Sequence, residues 1–260
     1  MRVSIYSKDN LESTQTRNEL ERVLKANNHV LDDKNPEIIF VIGGDGTFLK
    51  AINDRINQLD SIKFVGVKTG HLGYFYDFEK EDFEYVAKNI EELSKNYQVH
   101  HLIKAHLNKD NVDTLLYAVN EIRIENPFHT LKADVYINDE YFENFNGNGL
   151  MVSSTIGSSA YNKSLGGAVI DNTLDLLELT EIAPILNSQH KSLGSSYVLS
   201  KDTSITFKGD FNNVVVGYDN RTHPISEFQE ITISVSNKKF SLIHPKDHSK
   251  IRVIKDSFIN

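Results

Sequence analysis

The feature of this sequence that most constrains its fold is the segment Glu37–Lys50, which reads EIIFVIGGDGTFLK. Five apolar residues, Ile38–Ile42, precede a glycine-rich turn, and a helical pattern resumes at Thr47. An unbroken, mostly β-branched run is typical of a strand buried on both faces, as in a parallel sheet. Glycines allow backbone amides to approach a ligand closely, and the N-terminus of a helix favours anions. The segment therefore predicts a strand, a phosphate-binding turn and a helix, with phosphate contacts from Gly43, Gly44, Gly46 and Thr47.

Asp45 stands in the middle of this turn, where a site that only holds phosphate would not place a carboxylate. We therefore interpret Asp45 as a candidate for chemistry. Two simpler explanations stay open, because an aspartate at this position can cap the following helix and a glycine-rich turn after a strand is often only a tight turn.

Up to about residue 98, predicted strands alternate with predicted helices. This alternation predicts βαβ units and a parallel sheet. Ligands of such sheets bind at the carboxyl ends of strands, so we expect contributions from two turns, Gly43–Gly46 and Gly70–Gly73. The predicted elements, besides the segment above, are the strands Arg2–Ser7 and Ile62–Val67 and the helices at about Leu11–Asn28 and Lys80–Asn96.

From about residue 98 the pattern changes to consecutive strands joined by short turns, which predicts an antiparallel sandwich. We predict one long strand over Leu115–Glu125, a hairpin turn at Asn138-Asp139, and two strands, Glu230–Val235 and Lys239–His244, joined by a turn. The tail His248–Asn260 predicts a final helix. The predicted architecture is thus an α/β domain with a parallel sheet over 1–98, an antiparallel all-β sandwich domain over 99–245, and a C-terminal segment over 246–260.

Three polar segments interrupt the predicted β domain. Asn120-Glu121 places an amide and a carboxylate at neighbouring strand positions that point to opposite faces, although Glu121 facing solvent is an equally simple interpretation. Phe145–Gly149 is another Gly-X-Gly turn. Ser153–Gly167 is rich in hydroxyls and glycines, which suits a surface that wraps a polar ligand, although an ordinary surface loop has the same composition.

The composition limits the class of partner. The chain has 28 Lys and Arg against 36 Asp and Glu, a net charge of −8, and binding to nucleic acid or acidic membranes depends on the opposite excess. The absence of cysteine excludes disulfides, thiol catalysis and Cys-ligated zinc. No apolar run approaches the ~20 residues of a membrane span, and the N-terminus has no signal-peptide core. We predict a cytoplasmic protein without nucleic-acid or membrane partners.

The 10 histidines show no metal-ligand spacing, and we interpret His100, His101 and His106 as structural. We therefore predict no metal ligands from the chain itself. No Gly-Lys-Ser/Thr follows Gly43–Gly46, so this turn is not a P-loop.

Three motifs, taken in order and spacing, resemble those of bacterial NAD kinases: GGDGT at 43–47, Asn120-Glu121, and GSSAYNKS at 157–164. The first also occurs in diacylglycerol-type lipid kinases and phosphofructokinases, but the combination is specific. The resemblance covers essentially the whole chain and implies the same order of an α/β and a β domain. It implies transfer of the terminal phosphoryl group of ATP to the 2′-hydroxyl of the adenosine ribose of NAD, giving NADP. It also implies a divalent metal ion, usually Mg²⁺, and a homo-oligomer, commonly a tetramer or dimer.

The resemblance further implies roles for individual residues. Asp45 is implied as the general base, which agrees with the need of an alcohol nucleophile for a proton acceptor. Asn120 is assigned to the adenosine part of NAD and Glu121 to a ribose hydroxyl, while Asp219 is a weaker candidate. The residues implied to contact NAD are Asp45, Gly46, Leu72, Tyr74, Asn120, Glu121, Asn146, Asn148, Ser159, Ala160, Tyr161, Asn162, Lys163, Ser164 and, near the nicotinamide end, Ala183.

Two segments depart from the family pattern. Asn146-Gly147-Asn148-Gly149 stands where Arg-Gly-Asp-Gly is usual, and Ser154-Thr155-Ile156-Gly157 stands where Thr-Pro-Thr/Ser-Gly is usual. These departures leave open a dinucleotide-binding module without catalysis. The shared Gly-Gly-Asp-Gly turn leaves open a lipid kinase of the diacylglycerol type.

Overall fold

The computed structural model describes residues 1–69, 73–109, 112–188 and 191–259. The chain divides into two compact units, Met1–His100 with Lys238–Asn260, and His101–Asn237. The domain bounds given above, 1–98, 99–245 and 246–260, stay a prediction.

The first unit contains a parallel sheet with helices. Its strands are β1 (Arg2–Ser7), β2 (Val30–Leu31), β3 (Ile38–Gly43) and β4 (Lys63–Lys68), and its first helices are α1 (Leu11–Ala26), α2 (Asp45–Asp54) and α3 (Phe83–Leu93). The strands are ordered β2-β1-β3-β4 and pair in parallel. Every residue of β3 is buried, as its unbroken apolar run predicts. The predicted parallel α/β fold of this part is confirmed.

The helices cover this sheet with apolar stripes. Leu20, Val23 and Leu24 of α1 and Val86, Ile90 and Leu93 of α3 join one core cluster with the strands. Each such side chain contributes roughly 1.5–3 kcal/mol when fully buried. This packing fixes the end of β3, and with it the turn that carries Asp45.

The second unit is an antiparallel β-structure. Chain order continues with β5 (Tyr97–Lys109), β6 (Val112–Ala118), β7 (Glu121–Glu125), β8 (Leu131–Ile137), β9 (Glu140–Gly147), β10 (Gly149–Ser154), α4 (Tyr161–Ser164), β11 (Leu176–Ile182), β12 (Tyr197–Ser200), β13 (Ser204–Lys208), β14 (Val215–Tyr218), β15 (Arg221–Pro224), β16 (Glu230–Ile243) and α5 (Lys250–Phe258). One sheet has the order β12-β11-β10-β7-β14-β15, and its inner face packs against β8, β9, β13 and the first half of β16 in a single core. The predicted antiparallel sandwich is confirmed.

Two predicted strand boundaries are wrong. Glu230–Ile243 forms one continuous strand, because β16 pairs with β13 along its first half and with β4 near its end. The predicted strand Leu115–Glu125 is divided between β6 and β7, because the Asp219 carboxylate accepts the backbone N–H groups of Val119 and Asn120 and bends the chain there.

Other local predictions are confirmed. Asn138 and Asp139 form the tight turn between β8 and β9 with φ of 50° and 66°, the left-handed conformation that two-residue hairpins require. Helix α5 forms near the C-terminus and is capped by Ser249, whose hydroxyl accepts the backbone N–H of Arg252. Within the described residues, no helix is long and apolar enough to cross a membrane.

Candidate functional site

Asp45 is the first residue of α2 and lies at the carboxyl end of β3. Its Oδ2 accepts the backbone N–H of Tyr74 at 3.2 Å, and its Oδ1 accepts that of Phe75 at 3.4 Å. The Asp45 side chain therefore points towards the segment that follows β4. The alternative role as a helix N-cap is wrong, because Gly44 occupies the cap position and α2 has no side-chain cap.

The segment Gly73–Tyr76 is anchored on the beginning of α2. The Phe75 ring stacks on Phe48 of α2 with centroids 4.6 Å apart and planes 6° apart. The Tyr76 hydroxyl donates to the carbonyl oxygen of Gly44 at 2.7 Å. These contacts hold the amides of Tyr74 and Phe75 in place, so they orient the Asp45 carboxylate.

The environment of Asp45 strengthens it as a base. Burial raises the pKa of Asp45 above its ordinary value, and the hydrogen bonds from Tyr74 and Phe75 oppose only part of that rise. A carboxylate with a raised pKa has a higher proton affinity and is a stronger base. Asp45 is thus a carboxylate with a fixed orientation and a raised proton affinity.

The glycines around Asp45 leave room for a ligand. A Cβ atom built on Gly44 or Gly46 meets no atom of the described chain within 4 Å, and both residues are exposed. Gly43 differs, because its φ is +152° and a Cβ atom there would lie 2.6 Å from Oγ1 of Thr47. The turn therefore needs glycine at Gly43 for its own shape, whereas Gly44 and Gly46 open the positive end of the α2 dipole to an anion.

In the second unit, the backbone around Asn120 is fixed from several sides. The Asp219 carboxylate accepts the N–H groups of Val119 at 3.0 Å and Asn120 at 2.8 Å. The Ser154 hydroxyl donates to the Val119 carbonyl at 2.6 Å and accepts the Gly157 N–H at 3.0 Å. Asp219 itself has φ of 51°, an uncommon conformation for a non-glycine residue. Asp219 therefore positions Asn120 through the backbone.

Glu121 is buried at the start of β7, so the solvent-facing interpretation of this residue is wrong. Its Oε1 lies 3.4 Å from Nη1 of Arg123, and its buried Oε2 has no hydrogen-bond partner among the described residues. Desolvation, followed by the negative charge of Asp219, raises the pKa of Glu121 to about 7, while Arg123 opposes the rise. A buried acceptor without a partner is costly for the protein alone, and it suits a ligand hydroxyl.

We expect Glu121→Gln to reduce the loss of stability with rising pH. The folded chain keeps this proton up to a pH of about 7, whereas the unfolded chain releases it near 4.5. The stability contributed by Glu121 is therefore complete below the lower value and is lost as pH rises through the upper one, by at most about 3 kcal/mol. Urea unfolding of both proteins at about pH 5 and pH 8 measures the effect.

Glu143 provides the internal control for this comparison. Burial and the neighbouring Glu181 also raise the pKa of Glu143 to about 7. Because Glu143 is present in both proteins, its contribution cancels in the difference. An identical pH dependence of the parent and Glu121→Gln would contradict the assignment of a raised pKa to Glu121.

The hydroxyl-rich segment after β10 is held in place by buried polar contacts. The Asn162 side chain donates to Glu178 at 2.7 Å and accepts from the Thr180 hydroxyl at 2.7 Å, with all three residues buried. The Ser158 hydroxyl donates to the Thr155 carbonyl and accepts the N–H of Ile170. The segment is therefore a fixed part of the fold, and its interpretation as an ordinary surface loop is wrong.

This anchoring presents several predicted NAD contacts together. Tyr161, Lys163 and Ser164 are exposed, whereas Ser159 and Ala160 are half-buried. The side chain of Asn162 is occupied by its hydrogen bonds to Glu178 and Thr180. Its predicted contact with NAD therefore stays a prediction. The centroid of the Tyr161 ring lies 5.6 Å from the guanidinium carbon of Arg123. Arg123 also contacts Glu121 and so connects this segment to that residue.

The glycine turn Phe145–Gly149 contacts the segment around Ala183. The N–H of Asn148 donates to the Ile182 carbonyl at 2.9 Å, and the N–H of Ile185 donates to the Asn146 carbonyl at 2.8 Å. Ala183 has φ of 46°, which is strained for alanine and often marks a functional segment. Oδ1 of the buried Asn146 has no hydrogen-bond partner among the described residues, and Asn148 is exposed. The structure thus brings together three residues predicted to contact the dinucleotide.

Two supporting residues were not predicted from the sequence, and two predictions fall on residues that the structure does not describe. Arg123 stands two residues after Glu121 in β7, and the period of a strand places both side chains on one face, so this signal was readable. Tyr76 carried no signal in the sequence. Leu72, a predicted NAD contact, and residues 70–72 of the predicted turn Gly70–Gly73 lie outside the described residues.

The chain matches the models of one protein family over most of its length. Residues 6–96 match the family model described as the ATP-NAD kinase N-terminal domain, and residues 119–245 match the ATP-NAD kinase C-terminal domain. The protein named NAD kinase from Lactobacillus acidophilus is 35% identical over 260 residues, covering 100% of this chain and 97% of that protein. The one from Streptococcus gordonii is 34% identical over 263 residues, covering 99% and 95%.

Two solved structures share the fold. The structure of yeast NADH kinase complexed with NADH has a TM-score of 0.84 at 17% identity, covering 100% of this chain and 88% of that chain. The structure of an NAD kinase from Archaeoglobus fulgidus in complex with ATP has a TM-score of 0.78 at 22% identity, covering 100% of both chains. At these identities the similarity shows the fold alone.

Proposed function

This chain belongs to the ATP-NAD kinase family, and we propose on that premise that it transfers the terminal phosphoryl group of ATP to the 2′-hydroxyl of the adenosine ribose of NAD, giving NADP. It is a phosphotransferase with an alcohol group as acceptor. The observation that carries the proposal is the oriented, half-buried Asp45 beside the open space over Gly44 and Gly46.

We assign the proton of the 2′-hydroxyl to Asp45. An alcohol attacks phosphorus poorly until its proton has an acceptor, and phosphoryl transfer needs that acceptor only late in the reaction. The amides of Tyr74 and Phe75 each take one lone pair of the carboxylate, and each oxygen keeps a second one. Asp45 can therefore stay oriented by the protein while it accepts the proton.

The phosphates of ATP are assigned to the turn Gly43–Thr47. The space over Gly44 and Gly46 admits them, and the α2 N-terminus stabilises their charge. Mg²⁺ fits this site, because Mg²⁺ keeps several waters and binds substrate phosphates, and the open space over Gly44 and Gly46 admits both. When bound, Mg²⁺ supplies charge neutralisation on the phosphate oxygens.

The dinucleotide is assigned to the residues gathered in the second unit. The unpartnered Oε2 of Glu121 suits a ribose hydroxyl, since a hydroxyl donor removes the cost of the orphaned oxygen. Asn120 and the exposed side chain of Tyr161 suit the adenosine, through an amide and a ring respectively. The strained Ala183 beside Asn146 and Asn148 is the proposed contact for the nicotinamide end.

Gly46→Ala is expected to lower kcat/KM for ATP by about tenfold or more while the chain stays folded, because a methyl group would occupy the phosphate space. The new Cβ atom meets no described atom within 4 Å, and alanine favours the first turn of a helix by roughly 0.5–1 kcal/mol. Steady-state kinetics and thermal unfolding measure both effects. The control is Lys50→Ala on the exposed side of α2, and unchanged kinetics in Gly46→Ala would sink the phosphate assignment.

We also propose that the protein is cytoplasmic and is a homo-oligomer, either a tetramer or a dimer. Exposed apolar side chains between β11 and the start of β12 support an interface, namely Ile185, Leu186, Leu193, Tyr197 and Val198. Light scattering coupled to gel filtration tests the oligomer, and a monomer at micromolar concentration would contradict it.

The comparisons give no support to a lipid kinase or to a non-catalytic module. A single assay separates the three hypotheses. With ATP labelled at the terminal phosphate, NAD and diacylglycerol vesicles are offered together. We expect the label in NADP, whereas label in the lipid or in neither acceptor would favour one of the alternatives.

A further inference from the structure

We propose that Asp77, His244 and His248 form a binding site for a divalent transition-metal ion of the Zn²⁺ type. None of the three residues belongs to the nucleotide site described above. Asp77 lies in the segment after β4, His244 directly follows β16, and His248 precedes α5. One ligand atom from each residue lies within 4.8 Å of the other two.

The three side chains converge on one point. Nδ1 of His244 lies 2.5 Å from Oδ2 of Asp77, and Nδ1 of His248 lies 2.7 Å from Oδ1. The two imidazole rings stack, with centroids 3.9 Å apart. Their side chains are only 9% and 13% exposed, and that of Asp77 is 11% exposed. Two rings and one carboxylate are therefore held together away from bulk water.

The donor set identifies the class of ion. Imidazole nitrogen and carboxylate oxygen without thiolate suit Zn²⁺ and its neighbours in the first transition series, whereas Mg²⁺ prefers oxygen ligands alone. Three protein ligands leave a fourth position for water in a tetrahedral site. Asp77 and His248 also line a cavity of about 660 Å³, which provides access for the ion and this water.

The hydrogen bonding of His248 leaves a second ring nitrogen for the proton when Nδ1 binds an ion. The ionised Asp77 accepts at both oxygens, so each Nδ1 carries the proton in the present arrangement. The buried Nε2 of His248 has no hydrogen-bond partner among the described residues. An ion that takes Nδ1 of either ring displaces the proton from that nitrogen, and in a neutral imidazole this proton is then carried on Nε2.

The distances require a small adjustment. Donor atoms of a tetrahedral zinc site lie about 3.3 Å apart, given metal–ligand distances near 2.0–2.1 Å. The Asp77 oxygens therefore move about half an ångström to an ångström away from the ring nitrogens when the ion enters. A bound ion would link the connection between β16 and α5 to the segment whose Tyr74 and Phe75 amides hold Asp45.

The test titrates the chelator-treated full chain with ZnCl₂ alone, in the absence of nucleotides, by calorimetry and thermal unfolding. We expect one Zn²⁺ per chain and a rise in Tm, and neither effect from MgCl₂ alone. His248→Gln is expected to lower Zn²⁺ affinity by at least tenfold. The matched control is His106→Gln, which removes a histidine that pairs with a single carboxylate, that of Asp113, and should leave the affinity unchanged.

A second measurement keeps the proposal testable if His248→Gln does not fold. Co²⁺ added to the parent protein is expected to give the intense visible absorption of a tetrahedral site, displaced by one equivalent of Zn²⁺. No Zn²⁺ binding by the parent, an octahedral Co²⁺ spectrum, or full Zn²⁺ affinity in a folded His248→Gln would each overturn the proposal. Because no nucleotide is present, the outcome is independent of the kinase assignment.

Discussion

Asp45→Asn is expected to lower kcat by a factor of about 10² to 10⁴, the range typical of a lost general base. The change keeps the size of the side chain and removes its ability to accept a proton. The amide oxygen of asparagine can still accept one of the N–H groups of Tyr74 and Phe75, but its NH₂ group faces the other. We therefore expect a stability loss of about 1–2 kcal/mol and a folded protein.

NAD binding and turnover of Asp45→Asn must be measured separately. Calorimetric titration with NAD is expected to give a dissociation constant within a few-fold of the parent value, so that the loss appears in kcat. Asp54→Asn at the other end of α2 is the matched control, because that carboxylate accepts an exposed hydrogen bond from the Tyr6 hydroxyl at 2.6 Å. A full kcat in Asp45→Asn would remove Asp45 from the chemistry.

Gly157→Ala is expected to have the second largest effect, on both stability and NAD binding. A Cβ atom on Gly157 would lie 2.0 Å from the carbonyl oxygen of Asn120 and 2.4 Å from its carbon. The obstacle is backbone that Asp219 and Ser154 already hold, so it cannot rotate away. Such overpacking typically costs 1–3 kcal/mol, and relief requires Asn120 and Glu121 to move.

Two measurements follow for Gly157→Ala. Urea unfolding is expected to show a lower free energy of unfolding, and kinetics of the folded fraction are expected to show KM for NAD raised by about tenfold or more. Gly46→Ala is the matched control for stability, because its new methyl group meets no described atom within 4 Å. If Gly157→Ala matched the parent in stability and KM, the close approach to Asn120 would be without consequence for the site.

The sequence predicted the elements whose signals are local. The buried β3, the glycine turn with Asp45 and the start of α2 follow from one continuous pattern of apolar residues and glycines. The Asn138-Asp139 hairpin follows from turn chemistry. β16 could not be predicted as one strand, because Ser236–Lys238 has the composition of a turn and the pairing of β16 with β13 and β4 on either side is not visible in the sequence.

The candidate site also has features that sequence motifs predict and features that depend on contacts between distant residues. Asp45, Asn120 and Glu121 are marked by motifs, but the burial of Glu121 is decided by the fold around it. The carboxylate that fixes Asn120 belongs to Asp219, separated from it by 99 positions in the sequence. Asp77 and His244 are 167 positions apart, so no spacing rule connects them. Contacts of this kind become visible only when the chain is folded.

The decisive experiment for the proposed phosphoryl transfer measures NADP formation by the purified protein supplied with NAD, ATP and Mg²⁺. A dehydrogenase that accepts only NADP reports the product. We predict steady NADP production by the parent protein and its loss in Asp45→Asn. No NADP from a folded parent protein that binds NAD would exclude the proposed reaction, and equal production by Asp45→Asn would exclude Asp45 as its base.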